Sequence, residues 1–393
     1  MHSPVSPPTG LRLFYGSADV RWEVQPWAKP LSAVWVVDGP VKLRPRIDYD
    51  TEHLPKYGRI LAGTRWPQFI HTRAHKVDWD PDEPTSVLEH IHYLAVRELR
   101  ASGVFDEPQE MDDKPPEPVM GSLLELKIEL ADRLGAQCEL CERRCGSDRA
   151  SGVAGVCGVL EPRITSSFLH RGEEQELVPS HTIFFAGCNL ECQFCQNAEI
   201  SRSPRSGNAM SPEACADVIV LEELSSRNVN WVGGDPIPNV PFILRTLRVL
   251  ETVKPRSQVF NSNMFMTEET LALLDGVVDV YLTDFKYGND VCATRLSHVD
   301  GYFGVVSRNH ALASKQAELL VRHLVMPNHV ECCSIPVLNW LAEEIGPVRV
   351  NVMDQFRPVY NAHEHRDINR RPTTGEYLKA REHAESLGHL GLD

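Results

Sequence analysis

The sequence predicts an α/β fold, a partial (β/α)6 barrel, preceded by a Cys-rich extension and a separate α+β N-terminal domain. Three observations predict it. Apolar strand patterns alternate with helix patterns from His181 to the C-terminus, as parallel β-α units require. About six such units fit in that length, with strands expected at 181–187, 228–232, 257–261, 278–284, 319–326 and 348–353. Polar, glycine and cysteine motifs fall where these strands end, the face on which β/α barrels gather their chemistry.

The elements follow in order. Residues 1–105 read as the N-terminal domain. Ala33-Val34-Trp35-Val36-Val37 before Asp38-Gly39-Pro40 is a strand entering a turn. Ser86 to Ala101 is a helix with Leu88, Ile91, Ala95 and Leu99 on one face, a Ser86/Glu89 capping box and Gly103 beyond its end. Residues 106–121 are acidic and proline-rich, the composition of a solvated linker. A second helix starts at Ser122 with Glu125 at the box position and a stripe of Leu123, Leu126, Leu130 and Leu134; it leads into a cysteine group and defines a segment 122–178. The barrel takes 179–393, with helices expected from Ser211-Pro212-Glu213, Pro241, Thr267, about Tyr302 and Ser334.

Composition narrows the function. The 393 residues carry a net charge of −14, and 42% are hydrophobic. An acidic chain disfavours nucleic acid as a partner. No apolar run approaches the ~20 residues of a membrane span, and Met1-His2-Ser3-Pro4-Val5-Ser6-Pro7-Pro8 lacks a secretory pattern, so a cytoplasmic enzyme without a membrane partner is expected. Eleven cysteines in clusters read as metal ligands in a reducing compartment, not as a disulfide framework.

The densest chemistry lies in Gly187-Cys188-Asn189-Leu190-Glu191-Cys192-Gln193-Phe194-Cys195, directly after the apolar run His181 to Ala186. Cys188, Cys192 and Cys195 can hold three irons of a [4Fe–4S] cube. No fourth cysteine follows closely, so the fourth iron would be open to an outside ligand. A zinc knuckle, the competing reading, normally closes with four ligands. A second group, Cys138, Cys141, Cys145 and Cys157, can close a zinc site or hold an auxiliary cluster, with Arg143 and Arg144 offsetting sulfur charge. Cys215, Cys292, Cys332 and Cys333 are expected as buried or half-buried thiols. His170, His181, His363-Glu364-His365 and the run Glu173-Glu174-Gln175-Glu176 are expected to be bland, mostly solvated loop.

Four further strand ends carry polar groups. Gly233-Gly234-Asp235-Pro236 lets backbone approach a ligand. Asn261 and Asn263 present amides that both donate and accept. Asp284 and Lys286 form a carboxylate–ammonium pair or bind a polar group. Arg322 interrupts an apolar strand and needs a partner, either a cofactor carboxylate or a structural acid. Asn351 and Gln355 have weaker support as cavity residues.

The cysteine loop resembles the signature of the radical SAM enzymes. Residues from about 122 to 385 resemble one branch of that superfamily, the Fe–S proteins similar to pyruvate formate-lyase activating enzymes. The likeness rests on the Cys138 group, Phe184-Phe185-Ala186-Gly187-Cys188, Cys195-Gln196-Asn197, Gly233-Gly234-Asp235-Pro236, Asp284-Phe285-Lys286, Arg322-His323-Leu324-Val325 and Asn351-Val352-Met353-Asp354-Gln355-Phe356. The chain departs from the branch at Pro179-Ser180-His181, where a glycine-rich turn is usual, and at Asp235, where glutamate is common.

The resemblance implies a [4Fe–4S] cluster on Cys188, Cys192 and Cys195 whose open iron binds S-adenosylmethionine. It implies one-electron cleavage to a 5′-deoxyadenosyl radical and hydrogen abstraction from a protein, peptide or small molecule. It places Phe194 against the adenine, and Gly233, Gly234, Asp235, Asn261, Asn263, Asp284, Lys286 and Arg322 around the cofactor. It further implies an activating-enzyme-like oxidoreductase that makes a glycyl radical, with flavodoxin or ferredoxin as electron donor and a second [4Fe–4S] cluster or zinc at Cys138. Tailoring of a peptide or small molecule is the alternative reaction, and a two-cluster electron-transfer protein is the alternative of another class.

Overall fold

The computed structural model describes residues 51–106, 114–389 and 391, together with the backbone of two short strands ahead of them. Those strands, β1 (Val34–Val36) and β2 (Arg44–Arg46), pair antiparallel with Val34 opposite Arg46. β1 lies within the strand expected at 33–37. The chain separates into two compact units, Met1–Asp48 and Tyr49–Asp393. Everything below concerns the second.

Four helices lead this unit: α1 (Pro55–Leu61), α2 (Gln68–Ala74), α3 (Thr85–Ala101) and α4 (Leu123–Ala136). α4 forms as the sequence specifies. The Ser122 hydroxyl accepts from the Glu125 N–H and the Glu125 carboxylate accepts from the Ser122 N–H, a complete capping box. α3 differs at its start. It begins after Pro84 and has no side-chain cap, because Ser86 already lies inside the first turn. Its Leu88, Ala95 and Leu99 are buried as expected.

The barrel comprises β3 (Arg163–His170), β4 (Ser180–Phe185), α5 (Ala198–Ser201), β5 (Asn208–Ala209), α6 (Pro212–Glu222), β6 (Asn228–Gly233), α7 (Val240–Val249), β7 (Ser257–Ser262), α8 (Glu268–Leu274), β8 (Val280–Asp284), α9 (Asp290–Ser297), α10 (Tyr302–Gln316), β9 (Glu318–Leu324), α11 (Ile335–Glu344), β10 (Arg349–Met353) and α12 (Thr374–Ser386). The eight-stranded sheet runs in the order β10-β9-β8-β7-β6-β4-β3-β5. The six strands from β4 to β10 are parallel, matching the expected β-α repeats. β3 and β5 extend the β4 edge antiparallel and were not anticipated. The sequence of β3, Arg-Ile-Thr-Ser-Ser-Phe-Leu-His, is largely polar and only partly buried, so it carries a weak strand signal.

The parallel strands are covered on both faces. Outside, Phe185, Trp231, Phe260 and Tyr281 join the helices in one large core. Inside the barrel, Val259, Val280, Leu282 and Leu320 form a smaller cluster, closed by Leu54, Tyr57 and Leu177. Asn228 at the start of β6 donates to the Tyr57 hydroxyl (2.8 Å). No helix of the described residues is long and apolar enough to cross a membrane.

These contacts correct the expected boundary at residue 105. Two acids at the N-terminal ends of barrel strands fasten the leading helices. Glu318 accepts the Lys56 and Tyr57 N–H groups (2.6 and 2.7 Å), which are open donors in the first turn of α1. Asp279 accepts the Gln68 N–H at the start of α2 (2.9 Å) and the Gln258 N–H of β7 (2.8 Å). Residues 51–105 therefore belong to the barrel unit. The described part of the expected linker, 114–121, is also tied down: the Val119 N–H donates to the Arg73 carbonyl (3.0 Å). Residues 107–113 lie outside the described residues.

Burial pushes the Glu318 carboxyl up to about 7, against the two backbone bonds and nearby cations that lower it. Its folded pKa lies above the free glutamate value of about 4.3. The native state therefore holds this proton more tightly than the unfolded chain, and the associated stability is full at low pH and lost as pH rises through 7. Urea titrations from pH 5 to 8 should show this fall in the wild type, and Glu318→Gln should make it shallower.

Candidate active site

The C-terminal ends of the parallel strands enclose a cavity of about 620 Å³. All the expected cofactor-binding residues line it: Phe194, Gly233, Gly234, Asp235, Asn261, Asn263, Asp284, Lys286 and Arg322, with Cys188, Cys192 and Cys195 at one end. Asn351 and Gln355 line it too.

The cysteine loop leaves β4 and ends at α5. Each sulfur has a polar neighbour. The Leu190 N–H points at Cys188 Sγ (3.4 Å), the Ser297 hydroxyl donates to Cys192 Sγ (3.0 Å), and Ser201 Oγ lies 3.2 Å from Cys195 Sγ. Asn189 anchors the loop: its Nδ2 donates to the Phe265 carbonyl (2.9 Å) and its Oδ1 accepts from Asn263 Nδ2 (2.8 Å). Burial pushes the Cys188 and Cys192 thiols up. Thiols so placed stay protonated on their own and ionise when a metal cation joins them, which is the condition of a metal-bound thiolate. Three sulfurs on one loop, beside an open cavity, suit a cluster with one uncapped iron. Phe194 is buried, with its ring against Phe356 (centroids 5.4 Å apart) and near Tyr287 (6.4 Å).

The glycine pair is required by close approach. Gly233 has φ +130°, and a Cβ there would sit 2.2 Å from the Phe185 nitrogen. A Cβ on Gly234 would sit 2.0 Å from the Gly187 carbonyl oxygen. Asp235, next in line, is buried and turned into the protein. Its carboxylate accepts from the Asn263 N–H (2.8 Å), the Ile237 N–H (3.0 Å) and the Ser262 hydroxyl (3.2 Å). Burial still pushes its pKa up to about 7. The acid thus ties the β6 turn to the end of β7 and, through Asn263, to the cysteine loop.

Lys286 and Arg322 also line the cavity. Lys286 Nζ lies 2.5 Å from Asp284 Oδ2. Burial lowers the lysine pKa, but the adjacent carboxylate outweighs it and the net shift is upward. Arg322 bonds Glu174 through Nε (2.7 Å) and Nη2 (2.6 Å) and also contacts Glu173. Asn351 Nδ2 donates to the same Glu174 carboxylate (3.0 Å). Glu173 and Glu174 were expected in solvent; their side chains are only 6% and 2% exposed. They are cavity residues that the sequence reading missed. The signal was present in the interrupted apolar strand, since a buried arginine needs an acid. Glu176 repeats the pattern with Arg349 (2.8 Å). His323 faces away, bonded to the Phe285 carbonyl and Ser334 Oγ (2.8 Å each).

Cys138, Cys141, Cys145 and Cys157 surround a second, small hollow. The nearest cation is Arg149, which was not anticipated: its Nη2 lies 3.1 Å from Cys138 Sγ, and its Nη1 donates to the Pro238 carbonyl (2.7 Å) behind the glycine turn. Arg144 turns outward to Glu142, Glu139 and Glu269. Arg143 lines the hollow and donates through Nε to the Asn189 carbonyl (3.0 Å), linking the two cysteine segments.

The glycine geometry gives a direct expectation. Gly234→Ala should destabilise the protein by upward of about 3 kcal/mol, the top of the overpacking range, because the obstructing atom is backbone. Gly304→Ala, on a helix with nothing within 4 Å of the added carbon, should be neutral or stabilising. Thermal melts of the two variants make the comparison.

Comparison with known proteins found relatives in sequence and in structure. An uncharacterized protein of Methanocaldococcus jannaschii, MJ0674, is 47% identical over 339 residues, covering 84% of this chain and 97% of its own. The pyruvate formate-lyase-activating enzyme of Listeria monocytogenes is 22% identical over 157 residues, which is 38% of this chain and 63% of that enzyme. Among solved structures, HydG, a maturase of the [FeFe]-hydrogenase, aligns with a TM-score of 0.39 at 14% identity, covering 78% of this chain and 62% of its own. SuiB of Streptococcus suis aligns with a TM-score of 0.38 at 13% identity, over 51% of this chain and 44% of that one. The radical SAM superfamily model matches residues 182–338, from β4 to α11. With the three-cysteine loop and the parallel half-barrel in place, the chain belongs to the radical SAM superfamily, whose enzymes work with a [4Fe–4S] cluster and S-adenosylmethionine.

Proposed function

We propose that Cys188, Cys192 and Cys195 ligate the [4Fe–4S] cluster and that S-adenosylmethionine binds in the adjoining cavity. The observation that carries this reading is the convergence of these thiols with four other strand-end motifs on one cavity. Held there, the two cofactors would supply one-electron radical chemistry for abstracting a hydrogen atom from a substrate.

The protein's part is placement and shielding. The Gly233-Gly234 backbone offers polar groups to the methionyl end, and Asp235 holds that backbone in place through its bonds to Ser262 and Asn263. Asn261 would offer its amide to the ribose, and Asn263 would hold the cofactor's surroundings in place through its bonds to Asn189 and Phe265. Phe194, packed against Phe356, would cover the adenine. Lys286 and Arg322 balance the charge of carboxylates in the cavity. Leu54 and Tyr57 close the opposite end of the barrel, which keeps water from entering there. The Cys138 group holds a second metal centre, an auxiliary cluster or zinc. A small reduced protein such as flavodoxin or ferredoxin delivers the electron, in the cytoplasm.

The likeness to the Listeria enzyme supports glycyl-radical formation on a partner protein as the finer reading. That likeness spans 38% of the chain. The uncovered remainder favours, as a second reading, a peptide or small-molecule substrate bound with the help of segments the Listeria enzyme does not match.

Anaerobically reconstituted protein given S-adenosylmethionine and reductant should release 5′-deoxyadenosine, and Cys192→Ala should reduce release to background. Wild type with an intact cluster and no release would exclude the enzyme reading. Electron paramagnetic resonance on the partner then separates the two substrates: a glycine-centred radical supports activation, and its absence with a modified peptide or small molecule supports tailoring. Cys138→Ala/Cys141→Ala should lose either iron or zinc in metal analysis while Cys192→Ala keeps that fraction.

A further inference from the structure

We propose that Cys292, His329, Cys332 and Cys333 bind a single zinc ion, at a site distinct from both the Cys188 loop and the Cys138 group. The four side chains come from two segments. Cys292 lies in the first turn of α9; the other three occupy the turn that follows β9 and leads into α11. Their ligand atoms all lie within 4.8 Å of one another.

The distances match one tetrahedral ion. His329 Nδ1 lies 3.5 Å from Cys292 Sγ, 3.4 Å from Cys332 Sγ and 3.7 Å from Cys333 Sγ. Cys332 Sγ lies 3.9 Å from Cys292 Sγ and 3.9 Å from Cys333 Sγ. Zinc with Zn–S of about 2.3 Å and Zn–N of about 2.0 Å demands tetrahedral edges of about 3.8 Å between sulfurs and about 3.5 Å between sulfur and nitrogen. Sulfurs on separate irons of a cube do not converge on one centre in this way. A disulfide between any two of the thiols leaves the third thiol and the imidazole aimed at the same point without cause.

The surroundings also fit a ligand set. His329 Nε2 lies 2.9 Å from Asp367 Oδ2 and 3.3 Å from Arg295 Nη2; in the tautomer that donates Nε2–H to the carboxylate, the Nδ1 lone pair faces the three sulfurs. This carboxylate–histidine arrangement is the usual outer support of a zinc-bound imidazole. Arg295 bonds Asp367 through Nη1 (3.0 Å), placing a cation beside a centre that three thiolates and one Zn²⁺ would leave at net −1. Asn289 caps α9 by accepting the Cys292 N–H (2.8 Å) and donates to the Cys332 carbonyl (2.7 Å), which joins the two segments at the site. Residues 330–334 take five-residue π-helical bonding instead of a regular turn. Such a turn is often found at functional positions.

The site bears on the catalytic loop. α9 carries Cys292 near its start and braces the cysteine loop at its end: the Leu296 carbonyl accepts the Gln193 N–H (2.8 Å), the Ser297 carbonyl accepts the Glu191 N–H (3.2 Å), and the Ser297 hydroxyl reaches Cys192. A zinc ion would fasten α9 to the turn after β9 and so hold that brace in place. Binding releases the thiol protons and needs no redox partner.

The test is zinc K-edge spectroscopy and metal analysis on the full-length protein. We expect a shell of three sulfurs and one nitrogen in the Cys138→Ala/Cys141→Ala variant, and zinc retained in Cys192→Ala. Cys292→Ser and Cys333→Ser should lose at least nine-tenths of that zinc. Asp367→Ala, which removes no ligand, should weaken zinc retention against a chelator by about 10–100-fold and serves if the cysteine variants do not fold. A shell of four sulfurs, zinc that leaves with Cys138 and Cys141 but not with Cys333, a protein that takes up no zinc, unchanged retention in Asp367→Ala, or a disulfide among the three cysteines in oxygen-free material would each overturn the site.

Discussion

Two backbones meet behind the cavity with no room for a single carbon between them. The turn after β6 rests on the carbonyl of Gly187 and on the backbone of Phe185, and this is possible only because positions 233 and 234 lack side chains. Much else depends on that contact. Gly187 immediately precedes Cys188, so the seating of the β6 turn helps fix where the cysteine loop begins. The Asp235 N–H donates to the Gly187 carbonyl (3.1 Å), and the Asp235 side chain then reaches β7. Asn263 continues the connection to Asn189. One close approach thus carries order around three strand ends and back to the loop it started from.

The two ends of the barrel solve opposite problems. At the C-terminal end polar groups must remain available, so strands finish in glycine, amide and charged residues around an open volume. At the N-terminal end the same sheet is closed by Leu54, Tyr57 and Leu177. Glu318 and Asp279 accept the unsatisfied N–H groups of α1 and α2 there, replacing the ordinary Ser or Thr cap that neither helix has. Stability and chemistry are separated along the strand direction, as is usual in β/α barrels.

This division explains what the sequence made legible. The cysteine loop, the glycine turn and the Asp284–Lys286 pair are local patterns, each read within a few residues, and all reach the cavity. The six parallel strands were visible because burial on both faces leaves continuous apolar runs. What stayed hidden is long-range. Glu174 and Arg322 are 148 positions apart, so Arg322 announced a missing acid without saying which one. β3, polar and at the sheet edge, had no apolar run to show. The docking of α1 and α2 depends on acids more than 200 residues downstream, which no periodicity reports. Cys292 and the His329 turn have the same character: neither segment alone has a full ligand set, and an adjacent cysteine pair reads as two core thiols until a third thiol and an imidazole meet it in space.

The two cations of the cavity are not equivalent, and hydrogen-bond capacity separates them. Arg322 presents a planar fork, and Glu174 takes two of its bonds in parallel while Glu173 takes another contact from Nη2. A ligand carboxylate would have to displace a buried acid that also accepts from Asn351, and displacing it would leave that acid without its main counterion. Lys286 has three donor positions and one carboxylate partner at 2.5 Å, and its backbone N–H donates to the Tyr302 hydroxyl (2.9 Å). Its ammonium can take an additional oxygen without breaking the Asp284 pair. Arg322 therefore serves the cavity as a wall, holding the acidic segment before β4 against β9, and Lys286 is the cation whose donors face the open volume.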